Sequence, residues 1–259
     1  MLTISVVNQK GGCSKTSTAV NLSSVLAEKG YKTLLINMDP QGNASSSLGI
    51  DNFNSPTIYE VLHGEIPISS AILQTGVVNL CMIASNILTA KLEREMSRDP
   101  GSEENLSKAL HCSKNINNRF EYCIIDCPPS LGGLSTNALV ASDYCIIPVQ
   151  PGIFALEGVN SLLDTINTIR EEYQNPQILG LLPSFFDART TMSHKMLEDL
   201  KATGCTFDTI IRVSQAIPKA QANKQPVNIF QENSRGSHDF RCLAKEIIDK
   251  LGKDERHDR

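Results

Sequence analysis

One segment near the N-terminus constrains this chain more than any other, because it joins a strand-like run to a helix-like run through glycines and lysines. Residues 2–7 (LTISVV) are apolar, residues 8–17 read NQKGGCSKTS, and an apolar stripe of helical period follows from Lys15. A loop of this kind presents backbone N–H groups at the N-terminus of a helix, where they bind phosphate. The sequence therefore predicts a βαβ unit with a phosphate-binding loop at its first turn.

The rest of the chain repeats this alternation of short apolar runs and helical segments. Further runs are nearly continuous in apolar residues, as is typical of parallel strands buried on both faces, and lie at residues 32–37, 77–83, 122–127, 143–149, 178–183 and 207–211. Helical periodicity predicts helices at about 86–97, 103–119, 133–141, 155–173, 190–203, 214–224 and 238–251. We expect one α/β domain over residues 1–251, a single doubly wound, mostly parallel sheet with helices on both faces, and then a charged tail at residues 252–259.

Composition excludes several other classes of protein. No stretch reaches the roughly 18 apolar residues of a membrane span, and no secretory leader pattern opens the sequence, so we expect a cytoplasmic location. The eight cysteines are scattered without a CxxC pair, which argues against a disulfide framework or a zinc site. A net charge of −4 argues against a globally basic nucleic-acid binder and leaves room only for a local basic patch.

The loop at residues 8–17 contains the parts that a nucleotide site requires. Gly11 and Gly12 allow the backbone to wrap phosphates, Lys15 can reach the outer phosphates, and the Thr16 hydroxyl can bind Mg²⁺. A glycine turn with fortuitous lysines is the alternative. The residues predicted to contact the nucleotide are Lys10, Gly11, Gly12, Cys13, Ser14, Lys15, Thr16 and Ser17.

The standard phosphate-loop pattern nevertheless fails in this sequence. Gln9 and Ser14 occupy its two glycine positions, and a second lysine, Lys10, precedes Lys15 by five residues. A Cβ at Ser14 narrows the loop and predicts a positive φ at a residue that is not glycine. For Cys13 we expect that the lysines and the helix dipole lower the thiol pKa.

Two acidic motifs follow later strands. Asp39 comes after the run at 32–37 and opens DPQGN, where its carboxylate could orient a water molecule and accept its proton, although a plain surface turn is the alternative. Asp126 ends the run at 122–127 and is placed to hold Mg²⁺ through water. The prolines and glycines of PPSLGG, residues 128–133, predict a rigid, switch-like loop after it.

Together these motifs resemble the ParA/MinD group of deviant Walker A P-loop ATPases over residues 2 to about 250. The loop resembles KGGxGK[ST], DPQGN resembles DxDPQGN, and the segment from Asp126 to Leu139 resembles the ParA form DxPPSLGxL[ST]xNAL. The resemblance implies an ATP- and Mg²⁺-dependent sandwich homodimer in which Lys10 reaches across to the partner's phosphates. It also implies that Lys10, Lys15 and Asp39 act in catalysis, and that Thr16 and Asp126 hold the metal.

Three departures from the family pattern bear on this interpretation. Ser14 replaces a loop glycine, and Asn37 replaces the first acid of DxDPQGN, so weaker Mg²⁺ support is expected from this strand. Pro151-Gly152 replaces the acidic and aromatic residues usual before ALEG, residues 155–158. These departures put the hydrolysis rate in question more than nucleotide binding.

Asn223-Lys224-Gln225-Pro226 lacks the acid of a guanine-reading motif, which favours ATP over GTP.

The choice within the group lies between DNA and a membrane. The tail KDERHDR has no apolar anchor, so the stripe of the last helix is expected to pack on the core, with no membrane attachment. Between 209 and 231 the chain has three basic residues and no Asp or Glu, which is suited to DNA phosphates, although a solvated helix face is the alternative. The predicted DNA-binding residues are these three and one that resembles a family position: Arg212, Lys219, Lys224 and Arg189.

The resemblance as a whole implies a partition ATPase. In this interpretation the ATP-bound dimer binds nonspecific DNA on the nucleoid and segregates a chromosome or plasmid locus with a ParB-like partner, which stimulates a slow ATPase. An ATPase that positions a protein cargo is the main alternative. An electron-transfer ATPase of the nitrogenase iron-protein type would need paired cluster cysteines, and the PPS context of Cys127 does not resemble that family.

Overall fold

A computed structural model describes residues 1–50, 55–96, 99–152 and 155–254. In these residues seven strands form one sheet in the order β3-β4-β2-β5-β1-β6-β7. The strands are β1 (Leu2–Val6), β2 (Thr33–Asn37), β3 (Ile72–Gln74), β4 (Leu80–Ile83), β5 (Tyr122–Asp126), β6 (Tyr144–Val149) and β7 (Gln177–Pro183). Only β3 runs antiparallel to its neighbour, and the other pairs are parallel. The predicted fold class is confirmed.

Helices cover both faces of this sheet. On one face lie α1 (Lys15–Glu28), α2 (Asn43–Ser47), α10 (Ala216–Ala222), α11 (Val227–Phe230) and α12 (Arg235–Asp254). On the other lie α3 (Ile58–Leu62), α4 (Thr89–Met96), α5 (Asn105–Cys112), α6 (Lys114–Arg119), α7 (Gly133–Val140), α8 (Ala155–Tyr173) and α9 (Thr191–Ala202). Successive side chains of a strand point to opposite faces of the sheet. In β5, Ile124 packs in the core on the side of α1, whereas Cys123 and Ile125 pack in the core on the side of α7.

Several predicted elements differ from the structure. Residues 207–211 do not form a strand, because only isolated bridges flank them, at Thr206 and Arg212, and Phe207 turns into the core instead. The helix expected at 103–119 is two helices, α5 and α6, since Ser113 leaves helical geometry at φ −102° and ψ 78°. The short elements β3, α2, α3 and α11 were not predicted.

The C-terminal helix packs on the core as expected. Phe240, Leu243, Ile247 and Leu251 of α12 are buried beside the apolar residues of α1. The helix continues to Asp254, so it includes the start of the predicted tail, and residues 255–259 lie outside the described part of the chain. Within that part, none of the helices combines the length and apolar character that crossing a membrane requires.

The contact between β7 and Phe207 gives a test of the fold. A Cβ at Gly180 would lie 2.7 Å from Phe207 Cε2, and the ring is fully buried. Gly180→Ala should therefore lower the free energy of unfolding by about 1–3 kcal/mol through overpacking. Urea denaturation measures this, with Gly76→Ala as the control because nothing lies within 4 Å of its Cβ position. Equal unfolding midpoints for the two variants would contradict this packing of Phe207 on β7.

Candidate nucleotide site

The three motifs meet at one edge of the sheet because their strands are neighbours. Strand β5 lies between β2 and β1, and all three run parallel. Asp126, at the end of β5, is in register with Val6 on one side and with Asn37 on the other. The glycine loop after β1, the DPQGN turn after β2 and the Asp126 carboxylate therefore share the carboxyl edge, where ligands bind in open α/β sheets.

Lys15 closes the loop that precedes α1. Its side chain is only 6% exposed, and its ammonium donates to the Lys10 carbonyl oxygen at 3.1 Å. Gly12 has φ 73°, a left-handed conformation that glycine adopts without strain. Helix α1 begins at Lys15, so its free N–H groups and the ammonium are directed to one place. This arrangement suits the outer phosphates of a nucleotide.

Ser14 adopts the strained conformation that the sequence predicts. It precedes α1 with φ 73° and ψ 15°, and its side chain makes no capping hydrogen bond. Its Oγ is buried without a partner among the described residues. A left-handed residue other than glycine costs about 1–2 kcal/mol. Strain and an unpaired hydroxyl at the loop are typical of a site shaped for a ligand.

Asp126 is a buried carboxylate that lacks a hydrogen-bond partner. It is fully buried, and neither oxygen has a partner within 3.5 Å among the described residues. Burial raises the pKa of Asp126 to about 7, the nearby Thr16 hydroxyl and Lys15 lower it, and the Asp39 charge adds to the rise. A carboxylate and a hydroxyl are the oxygen ligands that Mg²⁺ prefers, with water and phosphate completing its shell. Asp126 and Thr16 therefore fit a magnesium ion.

The DPQGN turn holds Asp39 at the edge of this site. Asp39 is 6% exposed, and its Oδ1 accepts from the Gln41 N–H at 2.9 Å. Asn37 accepts from the Asp39 N–H at 3.0 Å and donates to Ser45 Oγ at 3.3 Å. The amide that replaces a family acid thus fixes the turn, because it is the side chain that bonds both to the turn and to α2.

Two residues that the sequence reasoning did not single out fix Lys10. Asn8 Oδ1 accepts from the Lys10 N–H at 2.9 Å, while Asn8 Nδ2 donates to the Pro148 carbonyl at 2.7 Å. With its amide oriented to satisfy both neighbours, Gln150 accepts from Lys10 Nζ at 2.9 Å and donates to the Gly12 carbonyl at 3.1 Å. Polar side chains at the ends of β1 and β6 were the available signal, because those strands are neighbours.

Cys13 differs from its expected chemistry. The side chain is completely buried, 3.9 Å from the Lys15 ammonium. Burial raises the pKa of the Cys13 thiol, and this outweighs the lowering by Lys15. The expectation of a lowered pKa was therefore wrong, because it considered the positive charges without the loss of solvent.

Of the four basic residues predicted to bind DNA, the two arginines are paired with carboxylates and the two lysines are not. Arg212 forms a bidentate ion pair with buried Asp239, with Nε at 3.0 and 3.1 Å from its two oxygens, and exposed Arg189 pairs with Asp187 at 2.7 Å. The ammonium groups of exposed Lys219 and Lys224 have no carboxylate within 4 Å among the described residues. The stretch that has no acid in the sequence is thus in contact with an acid of α12 in the fold. The order of residues along the chain could not show this contact.

An apolar cavity of about 240 Å³ adjoins the glycine loop. Ser14 and Ser17 line it on the loop side, and the opposite wall is formed largely by apolar side chains, including Val213, Ile217 and Pro218. Its position beside the phosphate loop and its apolar walls suit a planar ring.

The unpartnered carboxylate of Asp126 is expected to lower the stability of the nucleotide-free protein while it supports Mg²⁺-dependent nucleotide binding. Because the pKa of Asp126 in the folded chain, about 7, exceeds its usual 3.8, the nucleotide-free protein loses stability as pH rises from about 4 through about 7. Asp126→Asn should therefore raise the free energy of unfolding by about 1–3 kcal/mol at about pH 8 and weaken Mg²⁺-dependent nucleotide binding. Denaturation at about pH 5 and pH 8 measures the difference from wild type, which should shrink at the lower pH. A variant less stable than wild type at pH 8 would contradict this role of the buried charge.

Comparisons with known proteins identify relatives of this chain. A family model described as an AAA domain matches residues 1–179. The chain is 37% identical over 248 residues to the sporulation initiation inhibitor protein Soj of Bacillus subtilis, covering 94% of this chain and 97% of that protein. It is 35% identical over 250 residues to the chromosome partitioning protein ParA of Caulobacter vibrioides, covering 95% and 93%.

A solved structure is similar in the same way. The cobyrinic acid a,c-diamide synthase of Mycobacterium smegmatis, with bound ATP analogue and magnesium, aligns with a TM-score of 0.74 and 32% identity, over 86% of this chain and 93% of that one. Together with the loop, the two acidic motifs and the sheet order, these similarities show that the chain belongs to the ParA/Soj family of partition ATPases.

Proposed function

We propose that this protein is a Mg²⁺-dependent ParA-type ATPase whose ATP-bound form is a sandwich dimer that binds DNA without sequence preference. The observation that carries the proposal is the convergence of Lys15, Thr16, Asp39 and Asp126 at one edge of the sheet. A ParB-like partner then stimulates hydrolysis, and the protein works on the nucleoid to segregate a chromosome or plasmid locus. Relatives that are named chromosome partitioning proteins support this use.

ATP is the proposed nucleotide. The base occupies the apolar cavity beside the loop, against Ile217 and Pro218, where van der Waals contact with a ring is available. The magnesium- and ATP-analogue-bound structure of a similar protein supports the same pair of ligands. Asn223-Lys224-Gln225-Pro226 is at the end of α10 and lacks the acid that reads guanine.

In hydrolysis each residue has a separate task. Thr16 and Asp126 hold Mg²⁺, which when bound neutralises charge on the phosphates. Lys15 and the N–H groups of the loop bind the outer phosphates, and Asp39 orients the attacking water and accepts its proton. The remaining residues proposed to line the phosphates are Gly11, Gly12, Cys13 and Ser17.

Dimerisation gives Lys10 its role. In a single chain the Lys10 ammonium donates to the side-chain oxygen of Gln150, which is also bonded to the glycine loop of the same chain. In the proposed dimer it leaves Gln150 and reaches the phosphates bound to the partner subunit, where a full negative charge replaces a neutral amide oxygen as acceptor.

Removing the proposed base separates binding from hydrolysis. Asp39→Ala should retain ATP and dimerise with it while its turnover falls by about 10²–10⁴, because the phosphate contacts remain and only the proton acceptor is removed. Phosphate release and ATP-dependent dimerisation on a sizing column measure the two effects. Lys15→Ala is the matched control, since it should abolish nucleotide binding and dimerisation together. Normal turnover by Asp39→Ala would show that Asp39 only supports the turn.

The proposed DNA surface depends mainly on Lys219 and Lys224. Their ammonium groups are unpaired among the described residues, whereas Arg212 and Arg189 are already neutralised by carboxylates. The double variant Lys219→Ala/Lys224→Ala should weaken binding of the ATP-bound dimer to random duplex DNA and lower the salt slope by about 0.9 for each phosphate that is no longer neutralised. Arg212→Ala should have the smaller effect on the slope.

A filter-binding titration with ATP, ADP and no nucleotide measures this difference. The control is Lys91→Ala/Lys195→Ala, which removes two exposed lysines of the opposite helical layer that also have no carboxylate within 4 Å among the described residues. If the Lys219/Lys224 variant dimerises and binds DNA with wild-type affinity and slope, these lysines are only solvated. If wild type binds no DNA while it dimerises with ATP, the positioning of a protein cargo becomes the better proposal.

A further inference from the structure

A carboxylate from helix α4 lies against the loop that follows Asp126. This loop, residues 128–132, joins β5 to α7. A Cβ at position 132 would coincide with Glu93 Oε1 and lie 2.7 Å from Glu93 Cδ. A side chain at 132 would therefore require this carboxylate to leave its position against the loop. Gly132 has φ −89° and ψ −166°, which any residue can adopt, so backbone conformation does not explain the glycine.

The partners of Glu93 belong to the loop and to the start of α7. Ser130 Oγ donates to Glu93 Oε1 at 3.5 Å, and the backbone N–H of Leu134, in the first turn of α7, also favours the charged carboxylate. Gly132, which precedes α7, has no side chain to cap the helix. An acid near a helix N-terminus interacts favourably with the helix dipole. The geometry therefore places the Glu93 carboxylate against Ser130 and Gly132 of the loop, close to the start of α7.

Glu93 keeps this place although burial opposes its charge. No lysine, arginine or histidine lies within 4 Å of its carboxylate among the described residues. Burial raises the pKa of Glu93, while Ser130 and the Leu134 N–H lower it. A half-buried acid with no cation depends on those donors, so the contact with the loop is the interaction that retains it there.

The body of α7 is held by other groups. Asn137 accepts from the Leu106 N–H at 3.1 Å and donates to the Ser102 carbonyl at 2.9 Å. A Cβ at Gly133 would lie 3.0 Å from Met96 Cβ, so α4 and α7 are in close contact. The middle of α7 is therefore held through Asn137, and its first residue also packs against Met96 of α4, both without Glu93. The contribution that is specific to Glu93 is its contact with the loop before α7.

We propose that Glu93 is a positioning residue for ATP hydrolysis, which fixes the loop after Asp126 through its contacts with Ser130 and Gly132. It acts on the reaction only through this loop. The inference rests on the proposed ATPase function, because the loop starts two residues after the carboxylate that would hold Mg²⁺.

Kinetics test the positioning role. Glu93→Ala should lower kcat about ten-fold, the effect typical of removing an outer-shell support, while KM for ATP stays within about two-fold because the phosphate loop is intact. Glu93→Gln keeps an acceptor oxygen and should retain kcat within about three-fold. The outcomes that overturn the proposal are an unchanged kcat in Glu93→Ala, or an equal fall in kcat in both variants.

A double-mutant cycle tests the contact without any ATPase assay. Gly132→Ala places a methyl group where Glu93 Oε1 lies, so it should lower the urea midpoint of the nucleotide-free protein in the wild-type background. In the Glu93→Ala background the same change should have little effect, since the carboxylate is gone. Equal shifts in both backgrounds would overturn the contact. If the cycle shows coupling while wild type hydrolyses no ATP, the proposed function fails and the positioning role fails with it, whereas the contact between Glu93 and the loop remains.

Discussion

The parallel pairing of β2, β5 and β1 is the constraint on which the site depends. Their register places Asn37, Asp126 and Val6 in one row, so three segments far apart in sequence emerge at the same edge. Apolar side chains on both faces of these strands keep that register, because a slip of one residue would exchange the two cores. The glycine loop, the DPQGN turn and the loop after Asp126 are therefore positioned by the packing of the strands that precede them.

At this edge the chain combines a left-handed residue other than glycine with buried polar atoms that lack partners among the described residues. Ser14 has a left-handed backbone and a buried, unpartnered hydroxyl, and Asp126 has two unpartnered oxygens. Both features lower the stability of the free protein. A cation and phosphates that satisfy them are bound by the folded state alone, so nucleotide binding and folding stability are thermodynamically linked. The features that lower the stability of the free protein are therefore the ones that a bound ligand would stabilise.

The sequence predicted the sheet, and the meeting of three candidate motifs at its edge, because their signals are local. Apolar runs predicted β1, β2 and β5, and the glycine loop, Asp39 and Asp126 lie at or just after the ends of those strands. Residues 207–211 were wrongly predicted as a strand, since apolar character does not distinguish a strand from a segment that turns one aromatic ring into the core. The ion pair of Arg212 with Asp239 joins residues 27 apart in the chain and has no signal in local pattern. The contact of Lys10 with Gln150 has a signal only once β1 and β6 are known to be neighbours.

Local charge in this protein is therefore a property of the fold and not of the sequence interval. A stretch without Asp or Glu appears strongly basic, yet buried Asp239 from α12 removes the charge of Arg212 at close range. Lys219 in α10 and Lys224 just after it keep their positive charge, because no acid of α12 lies within 4 Å of them among the described residues. Since unpaired cations release more counterions from DNA than paired ones, the electrostatic surface of a dimer would be narrower than the sequence implies. Lys219 lies on α10, whose Ile217 and Pro218 line the apolar cavity beside the glycine loop, and Lys224 follows the end of that helix. The proposed DNA surface and the proposed nucleotide pocket would therefore share this segment of the chain.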